Sequence, residues 1–171
     1  MICLTLRLYF IKGSILNKVN FAKRKSVKFV EEGNDLAPKF NDEGILPVVV
    51  TEALSGTVLM IGYMNEESLK KSISTGEGHY WSRSRKLLWH KGASSGMVHK
   101  IKEILIDDDQ DSVWLKVDVQ GIGASCHVGY KSCFYRSIEK GPEGLSLKFT
   151  EKEKTFDPEV VYPGSENPTQ L

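Results

Sequence analysis

Two runs rich in β-branched residues, Leu46–Ala53 (LPVVVTEA) and Thr57–Met64 (TVLMIGYM), flank the short turn Leu54-Ser55-Gly56. That pattern predicts a β-hairpin. Asn65 follows as a helix N-cap, and Glu66 and Glu67 suit the positive end of the helix dipole. Met64 and Leu69 are spaced to staple across that cap. Gly76 supplies the left-handed residue that ends a helix, so the spacing predicts one short helix over Glu66–Thr75. Gly78–Ser82, Lys100–Ile106, Ser112–Val119 and Cys133–Ile138 read as further strands. In Ser112–Val119, Val113, Leu115, Val117 and Val119 line one face, and Trp114, Lys116 and Asp118 the other. That is a half-buried strand. The expected fold is α+β: a β-rich single domain of antiparallel strands with one short helix.

Outside Phe40–Lys140 the pattern weakens. Glu31–Lys39 is polar and turn-rich and reads as a linker. From Gly141 to Leu171 four prolines punctuate a stretch with few large apolar residues, which reads as a partly ordered tail. Residues 1–30 hold Arg7, Lys12, Lys18, Lys23, Arg24, Lys25 and Lys28 and no acid, so the remainder is net acidic. The apolar Ile2–Ile11 is interrupted by Arg7 and falls well short of the ~20 residues that span a bilayer. No A-x-A-like cleavage site follows it. A basic, acid-free leader suits either an organelle transit peptide or a plain extension ahead of the domain, and the second reading is preferred.

Composition narrows the class. The 171 residues are 40% apolar and 26% charged, ordinary values for a globular domain and unlike a disordered chain or a membrane bundle. A net charge of +1 offers no whole-chain argument for nucleic acid. Three cysteines without dense spacing exclude a disulfide scaffold.

Three clusters carry candidate chemistry. Asp107-Asp108-Asp109-Gln110-Asp111 packs four carboxylates into five residues. In an extended chain Asp107, Asp109 and Asp111 share a face, which suits a hard cation such as Mg²⁺; a solvated acidic turn is the other reading. An EF-hand fails, because Ser112 and Asp118 stand where it needs Gly and Glu. The second cluster is Cys126-His127 followed by Cys133. The thiols and imidazole suit Zn²⁺, with further ligands from Asp108 or a second subunit. Two buried small cysteines, or a Cys126 nucleophile, are the alternatives. In the third, Ser82-Arg83-Ser84-Arg85 precedes Trp89-His90-Lys91-Gly92-Ala93-Ser94-Ser95-Gly96. Paired Arg donors, Lys and a Ser/Gly loop make a phosphate cradle with aromatics to stack on a base; the alternative is a basic exposed hairpin.

The order FNDEGILPVVV, LMIGYMNEESL, SRSR, WxKGxSSG, DDDQD and ASCHVGYKSCF closely resembles the phosphoribosyl-AMP cyclohydrolase family over roughly Phe40 to Arg136. The resemblance implies residues 40–141 as that domain, with 1–39 a basic extension and linker and 142–171 a Pro-containing tail. It implies a cytoplasmic, monofunctional hydrolase of histidine biosynthesis that opens the N1–C6 bond of 1-(5-phosphoribosyl)-AMP. It implies Zn²⁺ and Mg²⁺ as cofactors and an intertwined homodimer with shared metal sites, and neither nucleic acid nor membrane as partner. Carried over residue by residue, Mg²⁺ falls to Asp107, Asp109 and Asp111, and zinc to Cys126, Cys133 and Asp108. Asp108 stands where the family has a third cysteine; Ala93 and His99 stand where Glu and Gln are expected. His127 becomes the proton shuttle. Arg83, Arg85, Trp89, Lys91, Ser94, Ser95 and Gly96 become the substrate contacts. Rival readings are a catalytically impaired nucleotide-binding metal protein and a Cys-dependent hydrolase.

Overall fold

A computed structural model describes residues 19–164. Ile2–Ile11 and the chain end, 165–171, lie outside these residues. In chain order the elements are α1 (Val27–Glu31), β1 (Ile45–Glu52), β2 (Val58–Asn65), α2 (Glu66–Thr75), β3 (His79–Ser82), β4 (Leu87–His90), β5 (His99–Ile106), β6 (Val113–Val119), β7 (Arg136–Gly141), β8 (Gly144–Phe149) and α3 (Pro158–Val161).

The main sheet has the order β2-β1-β6-β5. β1 and β2 form the expected antiparallel hairpin, Val48 opposite Gly62. β1 and β6 run parallel, with Val48 opposite Val113 and Val50 opposite Leu115. This corrects the expectation of an antiparallel sheet. Strand periodicity shows which residues face inward but not which neighbour a strand chooses. The parallel ladder begins at Val48, just past Pro47, which has no N–H to offer. Leu46, Val48, Val50, Leu115 and Val117 are fully buried and form the core with Leu59, Met60, Met64, Leu69 and Tyr80. Burying each such side chain contributes about 1.5–3 kcal/mol.

Helix α2 forms as its sequence predicts. Asn65 Oδ1 accepts from Ser68 N at 2.9 Å, and Gly76 ends the helix in the left-handed region at φ 69°. Met64 and Leu69 are both buried in the same core. Asn65→Ala is expected to destabilise the fold by about 1 kcal/mol, read as a lower denaturation midpoint; an unchanged midpoint would mean that the cap contributes nothing.

The expectation of one helix is also corrected, since three helical segments occur among the described residues. α1 and α3 are too short to show a helical period. Strand β4 joins β3 in a separate hairpin, and the strand expected at Cys133–Ile138 begins only at Arg136 and pairs with β8. None of the described helices is long and apolar enough to cross a membrane.

Residues 31–39 pack against the acidic turn. The buried Gln110 side chain accepts from Ala37 N at 2.7 Å and donates to Val30 O at 3.0 Å and Asp35 O at 3.1 Å. Lys39 N donates to Gln110 O at 2.7 Å. Gln110 itself has φ 59°, a left-handed conformation that turns the chain between β5 and β6. At the other end, Phe156 is buried with Met97 and Ala124, and Thr155 N donates to Gly129 O at 2.7 Å. The C-terminal segment therefore docks on the loops that follow β4 and β6.

Candidate active site

A cavity of about 670 Å³ opens between β2, the β3–β4 hairpin, the loop after β6 and the C-terminal segment. The β3–β4 turn sends Arg85 into its lining, and Ser82 Oγ accepts from Arg85 Nε at 3.2 Å. Arg83 lies over the Tyr63 ring at 4.0 Å; Tyr63 lines the cavity and Arg83 does not. Trp89 and Lys91 follow on and after β4, and both line it. Lys91 is 3% exposed. Its backbone N–H is tied to Gly78 O at 3.0 Å. Burial holds its pKa below the usual lysine range, and the nearby thiols of Cys133 and Cys126 oppose that shift. Gly92 has φ 84°, and a Cβ there would meet Met97 C at 2.2 Å. Only glycine lets the loop fold back so that Ser94 and Ser95 reach the cavity. Gly96 stays outside the lining.

The loop after β6 brings the second cluster to the same cavity. Cys126 N donates to Tyr130 O at 3.1 Å, closing a tight turn. Glu151 accepts from Lys131 N at 2.9 Å and Ser132 N at 3.1 Å, and Cys133 N donates to Leu59 O at 2.8 Å. These bonds place the Cys133 thiol against that of Cys126. Cys126 is buried and outside the lining, whereas Cys133 and His127 line the cavity. The Cys126 thiol is pulled down to about 6, first by its hydrogen bond with Cys133 and then by the Val128 backbone N–H. Cys133 is pushed up, first by the same hydrogen bond and then by burial. The two thiols share one hydrogen bond and therefore titrate as a pair. Such a soft pair of thiols fits as two ligands of a zinc ion.

Asp108 is not with them. The acidic turn precedes β6 and the thiol loop follows it, and no ligand group among the described residues joins Asp108 to Cys126 and Cys133. Among the described residues, Asp107, Asp108 and Asp109 form the one group of three or more His, Cys, Asp or Glu side chains whose ligand atoms all lie within 4.8 Å of each other. The turn is not extended, so the alternating face expected for Asp107, Asp109 and Asp111 does not form. Asp107 caps the turn, accepting from Asp111 N at 2.9 Å, Ser112 N at 3.0 Å and Ser112 Oγ at 2.6 Å. Those bonds hold its pKa below the usual carboxylate range, against the opposing effect of its own burial. Asp111 turns instead to Lys39 at 3.7 Å, which also meets Asp109 at 3.8 Å.

Several lining residues lie beyond the motifs. Lys154, Glu159 and Tyr162 of the C-terminal segment form one wall. Their sequence signal is slight: Asp157-Pro158 as a helix start, and isolated Phe156 and Tyr162 in a polar stretch. Tyr80 Oη lies 2.8 Å from His99 Nδ1, and His99 Nε2 lies 3.1 Å from Ser125 Oγ, which reaches the lining. His99 is thus fully buried behind the cavity wall.

The phosphoribosyl-AMP cyclohydrolase family pattern matches residues 60–135, from the second hairpin strand through the thiol loop. A phosphoribosyl-AMP cyclohydrolase of Rhodopseudomonas palustris is 51% identical over 134 residues, covering 78% of this chain and 88% of the relative. The Nitrobacter winogradskyi protein of that name is 48% identical over 139 residues, covering 81% and 94%. That of Bradyrhizobium diazoefficiens is 45% identical over 133 residues, covering 78% and 94%.

Proposed function

Since the chain belongs to the phosphoribosyl-AMP cyclohydrolase family, we propose that its cavity binds 1-(5-phosphoribosyl)-AMP and hydrolyses the N1–C6 bond of the adenine ring, a step of histidine biosynthesis. The observation that carries this reading is one cavity lined by cations, aromatics, an imidazole and a thiol together. Arg85 and Lys154 are exposed cations suited to the two phosphates, and Ser94 and Ser95 add hydroxyl donors. Tyr63 and Trp89 offer faces for the base. Arg83 acts by holding Tyr63.

Hydrolysis adds water across the C6–N1 bond. The water oxygen bonds C6, the C6–N1 bond breaks, and N1 gains a proton. His127 lines the cavity beside the thiols and is suited to take the proton from water and return it to N1. Zinc held by Cys126 and Cys133 would make a water acidic enough to attack at neutral pH. Since Asp108 does not group with these thiols within one chain, it would complete the ligand set from a second copy, in a homodimer with shared metal sites. The clustered carboxylates of Asp107, Asp108 and Asp109 suit Mg²⁺ and would offset substrate phosphate charge. Asp111 lies outside that group and, like Asp109, faces Lys39. A Cys126 nucleophile is disfavoured, because that thiol is buried away from the lining.

Turnover of 1-(5-phosphoribosyl)-AMP, with metal content measured on the same preparation, tests the reading. Ring opening that chelation abolishes and zinc restores is expected. Saturable binding without ring opening would instead mean a nucleotide-binding metal protein. Lys154→Ala is expected to raise KM about tenfold with kcat little changed, the worth of one charge-assisted hydrogen bond. An unaltered KM would remove the C-terminal wall from substrate binding.

A further inference from the structure

The line Tyr80–His99–Ser125 connects the core to the cavity, and the chemistry proposed above leaves it unused. Tyr80 is 1% exposed and His99 fully buried. Their rings meet edge-on at 5.9 Å and 87°. Gly78 clamps them from one side: a Cβ there would lie 2.6 Å from Tyr80 Oη and 2.9 Å from His99 Cβ. Two hydrogen bonds end on the imidazole, one on each nitrogen. The ring is neutral, because burial and the Lys91 ammonium both oppose its protonation. A neutral imidazole has one N–H and one lone pair, so the two bonds run in a single direction along the line.

The buried end decides that direction. Among the described residues, His99 Nδ1 is the sole hydrogen-bond partner of the Tyr80 hydroxyl. If Nδ1 carried the proton, the Tyr80 hydroxyl hydrogen would be buried without an acceptor, which is costly. Tyr80 therefore donates to Nδ1, and the proton of His99 sits on Nε2. Nε2–H then donates to Ser125 Oγ at 3.1 Å. That oxygen then accepts, and as none of the hydrogen bonds among the described residues takes the serine's own hydrogen, the hydroxyl is left free to donate into the cavity, which His127, Cys133 and Lys91 also line.

We propose that Ser125 is a further substrate-binding residue: His99, locked in its Nε2–H tautomer by Tyr80, presents the Ser125 hydroxyl as a donor to an acceptor atom of the bound nucleotide. His99 and Tyr80 are positioning residues that act through Ser125. The proposal rests on the cyclohydrolase reading for its ligand but not for its polarity. A glutamine at 99 has a carbonyl oxygen and an amide nitrogen at nearly the spacing of the two ring nitrogens. It accepts from Tyr80 and donates to Ser125 in the same sense.

Long-range ¹H–¹⁵N correlation spectra of the full chain report the His99 tautomer without any substrate. The Nε2–H form is expected, and the Nδ1–H form would overturn the proposal. With 1-(5-phosphoribosyl)-AMP as substrate, Ser125→Ala is expected to lower kcat/KM about tenfold, the worth of one hydrogen bond. His99→Leu is expected to lose a similar factor, the double variant little more, and His99→Gln to recover most of the loss. Multiplying losses, or no rescue by glutamine in a protein whose melting midpoint is unchanged, would reduce His99 to packing. No effect of Ser125→Ala in an active enzyme would overturn the substrate contact. A wild-type chain without turnover would sink the cyclohydrolase reading, while the spectra would still decide the direction of the line.

Discussion

A mixed dimer built from one Asp108→Ala chain and one Cys126→Ala chain is expected to recover about half the wild-type rate, although each variant alone is inactive. The expectation follows from the proposed homodimer. Among the described residues Asp108 and the thiols of one chain do not gather into one ligand group, and in a two-fold pair the other copy would supply each thiol pair with its carboxylate. In the mixed dimer one site has both of its chains defective and the other has neither. Losing a zinc ligand removes several kcal/mol of charge stabilisation, on the order of a thousandfold in rate, so each homodimer serves as a blank. The mixed dimer is isolated by two different affinity tags and tested for ring opening and zinc content. If it stays inactive with one tag of each kind present, the shared site is wrong. If Asp108→Ala alone is fully active, that carboxylate is not a ligand.

Gln110→Ala is expected to destabilise the fold by about 3 kcal/mol, the cost of leaving buried backbone groups unpaired. Its side chain satisfies Ala37 N, Val30 O and Asp35 O at once, at 2.7, 3.0 and 3.1 Å. For a chain of this size that corresponds to a melting midpoint roughly 6–12 °C lower. Glycine at 110 is expected to be less harmful than alanine by roughly 1 kcal/mol, because φ 59° costs a residue with a Cβ and does not cost glycine. Scanning calorimetry of the two variants checks both parts. A midpoint within about 2 °C of wild type would show that water replaces the amide in that site.

The same glutamine shows where local sequence reading stops. The β1–β2 hairpin and α2 were legible because their signals are contiguous: a Gly-containing turn between β-branched runs, and Asn65 and Gly76 as caps. The stretch 31–39 reads as a linker because it is polar, yet its partner lies 73 residues away, at Gln110. Strand β4 was hidden in the Arg/Lys/Trp cluster, whose residues suggest binding more strongly than pairing. The motifs that line the cavity were legible through their chemistry, and Arg85, Trp89, Lys91, His127 and Cys133 do meet there. The Tyr80–His99–Ser125 line and the Lys154 wall were not, since each depends on residues that only packing brings together.

The parallel pairing of β1 with β6 sets an order of events during synthesis. β1 leaves the ribosome with β2, but its second neighbour arrives only when Val113 does, and β6 must slot between β1 and β5. Until then Val48 and Val50 belong to a two-stranded hairpin with an open apolar edge, the kind of edge that recruits other chains. Closing this sheet is a long-range step and therefore a slow one. Recovery of native protein is expected to depend on how well the nascent chain is shielded over that interval, more than on the stability it finally reaches.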